Sequence, residues 1–407
     1  MKREAGSRNQ VESKSKNMKK DTQLTQLGRI VEHQPTTVGV PLHRASTVIF
    51  DSMAEQHEIQ RRFDRDEQVP TYGIANMPQA LALENAVAKI EGAGPGGRAL
   101  TFSSGMGAVA GALLASVKTG EHVLMPDSAY HPGRRFAEKF LARFGVATTF
   151  YDPQIGAEIA SLIQPNTTVV YAESPGSHTF EVQDIPAISK AAHARGALVI
   201  LDNAWATGYF FNGFEHGADL VVQPATKYYA GHSDVLIGLV IANEANWPRL
   251  KDTTLDLGQR ASPDDCFLTL RGMRTLGVRL KRHQESALIV AQWLEGQPEV
   301  KRVLYPALKS DPGHALWKRD FTGASGLLAI ELNPCSDSQL AAMMDHYDYF
   351  ALGYSWGGFE SLAVTAHIKR TVRALPSGQL VRYNIGLEDP DDLIRDLEAG
   401  FKRLGKS

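Results

Sequence analysis

The sequence is poor in cysteine and has no large excess of either charge. Its 407 residues contain only two cysteines, Cys266 and Cys335, which are too few for a disulfide framework. No cluster of Cys or His has the spacing of zinc ligands. The formal net charge is −2, so the overall balance gives no reason to expect nucleic acid as a partner. These absences exclude a disulfide scaffold, a zinc module and a generally basic nucleic-acid binder.

Long apolar runs are also missing. None approaches the roughly 18 residues that a membrane-spanning helix needs, so we expect no membrane partner. Residues 1–20 hold seven Lys or Arg and two Glu, but no apolar segment of the kind found in secretory signals. We expect a disordered basic tail there, rather than a short localisation or nucleic-acid patch. Together with the scarcity of cysteine, this favours the cytoplasm.

Apolar runs of strand length alternate with longer amphipathic patterns from about residue 78 onward. The runs are residues 98–102, 122–125, 167–172, 197–201, 218–222 and 236–242. The segments 78–91 and 136–144 carry apolar residues three and four positions apart, as amphipathic helices do. Such alternation predicts an α/β fold with a mostly parallel central sheet and helices on both of its faces.

The pattern changes beyond about residue 273. Long helical patterns at 277–296 and 389–405 accompany short apolar runs such as 327–332. We therefore predict two domains, which is also what the length of the chain favours. The predicted parts are a tail at 1–20, an N-terminal arm at 21–77, a larger domain at 78–273 and a smaller C-terminal α/β domain at 274–407.

One glycine pattern is misleading. Gly92, Gly94 and Gly97 match the GxGxxG of dinucleotide-binding loops. A dinucleotide-binding loop follows a strand and opens a helix, whereas this one follows a predicted helix and precedes a predicted strand. We interpret it as a turn.

Polar side chains stand just past several of the predicted strands. They are Ser103, Ser104, Asp127, Tyr130, Glu173, Asp202, Asn203, Thr226 and Lys227. In sheets of this kind, ligands bind in the crevice beyond the carboxyl ends of the strands. We therefore expect a site assembled from several strand ends.

Two of these residues suggest a chemistry. In a crevice, Lys227 would lose its charge through desolvation, and a neutral amine can bond to an aldehyde cofactor. A carboxylate buried in the same crevice, such as Asp202, needs a cationic or hydrogen-bond-donating partner. Taken singly, Lys227 could equally cap a strand and Asp202 could bond to a loop, so the residues alone leave these alternatives open.

The sequence as a whole resembles the Cys/Met-metabolism family of pyridoxal phosphate (PLP) enzymes, and within it the bacterial cystathionine β-lyases. The matching segments, in chain order, are SSGMGAV, HVLMPDSAY, PNTTVVYAESPGS, LDNAWATG, ATKYYAGHSD, RGMRTLGVRL, WKRDFTGASGL, YSWGGFESL and LVRYNIGLEDPDDL, and the likeness runs from about residue 22 to 403. It implies the PLP-dependent transferase type I fold, with PLP bound in the larger domain. It also implies β-elimination from a sulfur amino acid, and a homotetramer built as a dimer of dimers.

The resemblance assigns roles around the cofactor. Lys227 would bond to the PLP aldehyde and act as the base at the substrate Cα. Asp202 would pair with the pyridinium nitrogen, and Tyr130 would stack on the ring and share in proton transfer. The positions that match phosphate-holding residues are Gly105, Met106 and Thr226.

It also assigns roles around the substrate. Arg382 would grip the α-carboxylate through a bidentate fork, and Tyr72 would reach into the site of a neighbouring subunit. Tyr354, Ser355 and Trp356 would contact the substrate. In γ-acting relatives a Glu usually precedes Ser-Leu-Gly-Gly in this segment, so the YSWGG of this chain favours β-elimination.

Two positions depart from the family pattern. Many relatives carry an Arg where this chain has Ile74, and a phosphate-binding Ser where it has Pro224. Each departure predicts weaker binding of the PLP phosphate. A γ-lyase, a γ-synthase, a sulfhydrylase or a catalytically silent scaffold of the same fold are the alternatives. The scaffold is disfavoured because the lysine, the aspartate and the substrate-binding arginine are all present.

Overall fold

The computed structural model of the chain describes residues 18–29, 38–366 and 368–405. Most of the predicted tail lies outside these ranges, and its last residue, Lys20, begins the first helix. None of the helices described is long and apolar enough to cross a membrane. No group of His, Cys, Asp and Glu side chains within these ranges is arranged to hold a metal ion.

Seven strands form the larger sheet. They are β1 (Arg98–Phe102), β2 (His122–Pro126), β3 (Ala147–Tyr151), β4 (Thr167–Glu173), β5 (Leu198–Asp202), β6 (Leu220–Gln223) and β7 (Gly238–Ala242). Their order across the sheet is β1-β7-β6-β5-β4-β2-β3. All neighbours from β6 through to β3 are parallel, whereas β7 runs antiparallel to both β1 and β6. The mostly parallel sheet of the predicted type I fold is confirmed.

Helices accompany this sheet and cover both of its faces, although the second of them, Met53–Asp64, buries no side chain. They are α1 (Lys20–Gln26), α2 (Met53–Asp64), α3 (Pro78–Glu91), α4 (Gly105–Leu114), α5 (His131–Arg135), α6 (Ile185–His193), α7 (Thr207–Phe210), α8 (Trp247–Asp256) and α9 (Pro263–Met273). Along β7, Leu239 and Ile241 join one core cluster while Val240 and Ala242 join another. Successive side chains of a strand point to opposite faces, so apolar cores lie on both faces of the sheet.

A second sheet follows in the C-terminal part of the chain. Its strands are β8 (Val300–Leu304), β9 (Leu327–Leu332), β10 (Ala351–Leu352), β11 (Leu362–Thr365) and β12 (Leu380–Asn384), in the order β10-β11-β12-β9-β8. The accompanying helices are α10 (Leu276–Glu295), α11 (His314–Asp320), α12 (Asp337–Met344) and α13 (Pro390–Leu404). One core cluster contains side chains from both sheets, such as Leu239 and Leu328, so they pack as one body.

Local chemistry explains where several elements begin and end. Helix α3 begins with Pro78, whose fixed φ suits the first turn, and ends at Gly92, whose φ of 79° is left-handed. Gly94 has a φ of 74°, so the glycine-rich segment is a turn, as predicted. The segment 136–144 differs from the predicted α-helix. It is a short π-helix (Phe136–Phe140) followed by a 3₁₀-helix (Leu141–Phe144), and the rings of Phe136 and Phe140 stack 4.8 Å apart.

Glu331, on β9, is a buried carboxylate on the strand next to the edge strand β8 of the second sheet. It accepts hydrogen bonds from Lys301 Nζ at 2.9 Å, Arg302 Nε at 2.7 Å and the Gly378 N–H at 3.1 Å. Burial opposes ionisation, but these bonds outweigh it and lower the pKa of Glu331 to about 2. Its charge therefore stabilises the fold at neutral pH.

We expect Glu331→Gln to lower the free energy of unfolding by on the order of 2 kcal/mol at pH 7, because two cationic side chains and a backbone N–H lose a charged, buried acceptor. The folded pKa is depressed, so the parent loses this stabilisation as the pH falls from about 4.5 towards about 2, and the two proteins should converge there. Urea unfolding midpoints at several pH values measure the difference. Glu398→Gln, which removes an exposed pair with Lys402, is the matched control and should change little. A midpoint for Glu331→Gln equal to the parent's at pH 7 would contradict this account.

Candidate active site

Lys227 lies in a crevice between the two sheets. Its Nζ lies 2.5 Å from the Ser355 Oγ and 5.2 Å from the centroid of the Trp356 ring. Burial, together with the positive charge of Arg382, lowers the pKa of Lys227 to about 8. A substantial fraction of the amine is therefore neutral close to physiological pH, as a nucleophile or a base must be.

Asp202, the last residue of β5, brings a carboxylate into the same region. Its Oδ2 accepts a hydrogen bond from the Tyr171 hydroxyl at 3.2 Å, and its Oδ1 accepts one from the Ala204 N–H at 3.0 Å. Glu173 is its register partner on β4. Burial raises the pKa of Asp202, and burial next to Asp202 raises that of Glu173. Neither acid forms an ion pair with Lys or Arg in the described part of the chain, so a cationic group would stabilise the charged form of both.

Tyr130 lies next to this acidic pair. Its backbone N–H donates to Glu173 Oε2 at 2.7 Å, which fixes the start of the segment after β2. The side chain remains 43% exposed. Burial and the charges of Asp202 and Glu173 raise the pKa of its hydroxyl. At neutral pH the hydroxyl therefore keeps its proton and is able to donate it.

Gly105 and Met106 occupy the first turn of α4. Ser104 caps this helix by accepting the Gly107 N–H at 3.0 Å. The N–H groups of the first helical residues have no partner within the helix, and the helix dipole favours an anion there. The predicted phosphate-holding position thus has a physical basis.

Pro224 lies directly against this turn. A Cβ added at Gly105 would lie 2.7 Å from the Pro224 Cβ, so only glycine fits opposite this proline. The hydroxyl of Thr226 donates to the Ile237 carbonyl at 3.1 Å and accepts the Ile237 N–H at 2.8 Å. Thr226 is already engaged with backbone, so its role towards a phosphate remains a prediction.

Arg382, on β12, faces the crevice from the second sheet. Its Nη2 donates to the Ser355 carbonyl at 2.7 Å, and its buried Nε has no hydrogen-bond partner among the described residues. Burial lowers the pKa of Arg382 to about 10, which still leaves it charged. Ser355 and Gly357 have left-handed φ values of 76° and 81°, which turn this segment towards Lys227 and Arg382. A buried guanidinium with an unused donor suits a carboxylate ligand.

Three of the predicted residues lie elsewhere on the surface. Tyr354 is 88% exposed and lines a groove of ≈ 480 Å³ between α12 and β11. Tyr72 is 54% exposed, and Ile74 is also exposed. In the part of the chain that the structure describes, neither tyrosine side chain forms a hydrogen bond with the crevice residues. Their contacts to substrate and to a neighbouring subunit remain predictions.

The structure adds contacts that the sequence did not indicate. The hydroxyl of Tyr171, which reads as a core residue of β4, bonds to Asp202. The contact between Ser355 and Lys227 joins positions 128 residues apart, which no local pattern reveals. Glu173 was visible as a strand-end acid, but only the pairing of β4 with β5 places it next to Asp202.

Comparison with known proteins decides the family. Residues 21–402 match the family described as Cys/Met metabolism PLP-dependent enzyme. The chain belongs to this family. Among relatives, the enzyme is 42% identical over 396 residues to cystathionine β-lyase of Escherichia coli (strain K12), covering 95% of this chain and 99% of that one. It is 45% identical over 387 residues to a putative cystathionine β-lyase of Rhizobium johnstonii, covering 94% and 95% of the two chains.

A solved structure agrees with the fold. Cystathionine γ-synthase from Xanthomonas oryzae pv. oryzae superposes with a TM-score of 0.87 at 30% identity, covering 96% of this enzyme and 99% of that chain. The predicted fold class and PLP as the cofactor are thereby confirmed.

The crevice of the enzyme fits PLP. The acidic pair of Asp202 and Glu173 has no cationic partner within the described ranges of the chain, so it is able to pair with a protonated ring nitrogen. The first turn of α4 offers N–H groups to the phosphate, and Lys227 offers its amine to the aldehyde. PLP held by these residues would supply an electron sink for the substrate Cα.

We expect Lys227→Ala and Lys227→Arg both to lose the visible absorbance of lysine-bound cofactor, and turnover to fall by at least about 100-fold. Arginine keeps the positive charge but cannot bond to the aldehyde, so it separates the loss of charge from the loss of the amine. Absorbance spectra after reconstitution with PLP, followed by keto-acid assays, measure both effects. If either variant keeps both properties, Lys227 does not bind the cofactor.

Asp202→Asn should cut turnover by roughly 100- to 1000-fold, because a neutral amide stabilises the positive ring nitrogen poorly. Asparagine has the same shape and can still bond to Tyr171 and the Ala204 N–H, so the fold should survive. The assay needs saturating PLP to exclude a simple loss of affinity. Near-normal turnover under that condition would rule out the proposed pairing.

Proposed function

We propose that the enzyme is a carbon–sulfur β-lyase that converts cystathionine to homocysteine, pyruvate and ammonia. The observation that carries this proposal is the pairing of Lys227, whose pKa is lowered to about 8, with the buried guanidinium of Arg382 in one crevice. The names of the relatives support the choice of cystathionine. A related sulfur amino acid, such as cystine or a cysteine conjugate, would meet the same groups.

Arg382 would bind and orient the amino acid. Its free Nε and its Nη groups form a planar set of donors that matches a carboxylate. Held in this way, the substrate Cα lies near Lys227, and the Ser355 hydroxyl fixes the position of the lysine amine. Lys227 then removes the Cα proton as a general base.

Two groups can supply the proton that the departing sulfur needs. Lys227 gains a proton in the first step, and the Tyr130 hydroxyl, whose pKa is raised by burial and by Asp202 and Glu173, is protonated at neutral pH like any tyrosine. Proton donation to a leaving group is a common role of such side chains. The thiol leaves as homocysteine, and hydrolysis of the three-carbon remainder by one water molecule gives pyruvate and ammonia.

Trp356 favours breaking the β bond. Its ring packs against the buried Tyr228 ring at 5.5 Å, and the Lys227 amine lies over its face. Elimination at the γ-carbon requires a second proton removal, at Cβ, so the base must move along the chain. A lysine held between an indole and the Ser355 hydroxyl has little room for such movement. Small misplacements of this kind change rates by about 100-fold.

The assembly is also part of the proposal. Tyr72 is exposed on the N-terminal arm and would complete the site of a neighbouring subunit in a cytoplasmic homotetramer. Ile74 offers no positive charge to the phosphate, and Pro224 offers no hydroxyl. PLP would therefore bind mainly through the other predicted cofactor residues.

The β-lyase assignment predicts pyruvate and homocysteine as the main products from cystathionine, with little 2-oxobutyrate or cysteine. We further expect Trp356→Leu combined with Tyr354→Glu to raise the γ-product fraction modestly, because the lysine gains freedom. Chromatography of the keto acids measures the ratio. Trp317→Leu removes an indole of α11 that donates to the Gly323 carbonyl, and it should leave the ratio unchanged. Should 2-oxobutyrate dominate with the unmodified enzyme, a γ-acting function would replace this one.

A further inference from the structure

Glu91, the last residue of α3, is a fully buried carboxylate that the proposed reaction does not use. Its Oε1 accepts the Gly208 N–H at 2.7 Å and the Tyr229 hydroxyl at 2.5 Å. Its Oε2 accepts Asn203 Nδ2 at 3.0 Å. Burial raises the pKa of Glu91, whereas these three donors favour its charged form. Burying a carboxylate costs free energy, so a buried acid outside the reaction indicates that its contacts have a role.

The donors belong to the two segments that carry the cofactor residues. Asn203 directly follows Asp202 at the end of β5, and Tyr229 lies two residues beyond Lys227. Gln223 Nε2 donates to the Asn203 carbonyl at 2.8 Å, which adds a link from the end of β6. Through the side chains of Asn203 and Tyr229, one carboxylate thus links the segment that follows Asp202 with the segment that follows Lys227.

The position of Glu91 is itself fixed. A Cβ added at Gly208 would lie 2.5 Å from the Ile90 carbonyl, so the end of α3 lies directly against α7. Lys20, on α1, donates to the carbonyls of Gly208 at 2.6 Å and Tyr209 at 2.8 Å, and its positive charge favours a charged Glu91. Helix α1 therefore holds the same turn from the other side.

We propose that Glu91 is a positioning residue that fixes the separation between Lys227 and Asp202 to the length of the PLP ring. PLP is rigid, and its aldehyde and ring nitrogen lie at opposite ends of the ring. A site that binds both must therefore hold its amine and its carboxylate at one distance. The inference rests on the proposed roles of Lys227 and Asp202, and it does not depend on which sulfur amino acid the enzyme cleaves.

Glu84 offers a matched comparison. It lies seven residues earlier on α3, is also buried, and accepts the Thr101 N–H at 2.9 Å and the Thr101 hydroxyl at 3.1 Å. These bonds tie α3 to β1, and none of them reaches the segments of Lys227 or Asp202. A purely structural role for a buried acid on this helix would affect Glu84→Gln and Glu91→Gln alike.

The experiment titrates the full-length apoprotein of each variant with PLP, without substrate. We expect Glu91→Gln to weaken PLP binding by about tenfold or more and to change the visible circular dichroism per bound PLP. Glu84→Gln should stay within about twofold of the parent in affinity and keep its dichroism. Because no substrate is present, failure here is distinguishable from failure of the β-lyase assignment.

Tyr229→Phe keeps the inference testable if Glu91→Gln does not fold. It removes one donor to Glu91 and should weaken PLP binding by a few-fold, with a changed dichroism. Tyr305→Phe removes an equally buried hydroxyl bonded to the Ser325 carbonyl at 2.8 Å and is its control. Unchanged affinity and dichroism in Glu91→Gln or, failing its folding, in Tyr229→Phe would overturn the proposal. Equal losses in the corresponding control would do so too.

Discussion

The site depends on two cationic side chains that share one buried crevice without a carboxylate between them. Lys227 and Arg382 are both desolvated, and neither forms an ion pair with an acid in the described residues. A guanidinium keeps its proton under such conditions, whereas an amine holds its proton less tightly, so the pKa of Lys227 falls to about 8. The second sheet positions one of these cations and the segment that contacts both. Strand β12 carries Arg382, and the left-handed turn at Ser355 supplies an oxygen to each cation.

The opposite end of the crevice has the opposite charge. Asp202 and Glu173 end adjacent parallel strands, and both are buried. Parallel pairing brings the carboxyl ends of strands to one edge, so two acids meet there without any local signal in the sequence. The result is a polarised crevice. A ligand with a cationic ring at one end and a carboxylate at the other matches it, as PLP joined to an amino acid does.

Sequence patterns anticipated much of the larger sheet. Six predicted apolar runs coincide with β1, β2, β4, β5, β6 and β7, because buried strands are short, apolar and bounded by turn residues. Strand β3 was not predicted, because its sequence ATTFY contains two threonines and is partly exposed. The apolar residues of segment 136–144 have the spacing of an α-helix, but the segment forms a π-helix in which the phenylalanine rings stack. The spacing of apolar residues alone does not distinguish an α-helix from a π-helix.

The sequence by itself determined the alternation of strands and helices, the strand-end position of Lys227 and Asp202, and, through its motifs, the family. These are properties of neighbouring residues, so a linear pattern records them. The tertiary structure alone decided that Ser355 meets Lys227, that Glu173 shares the acidic end with Asp202, and that Glu91 joins the segments on both sides. Each of these contacts joins residues from separate elements, and the resulting pKa values depend on burial, which exists only once the sheets have packed.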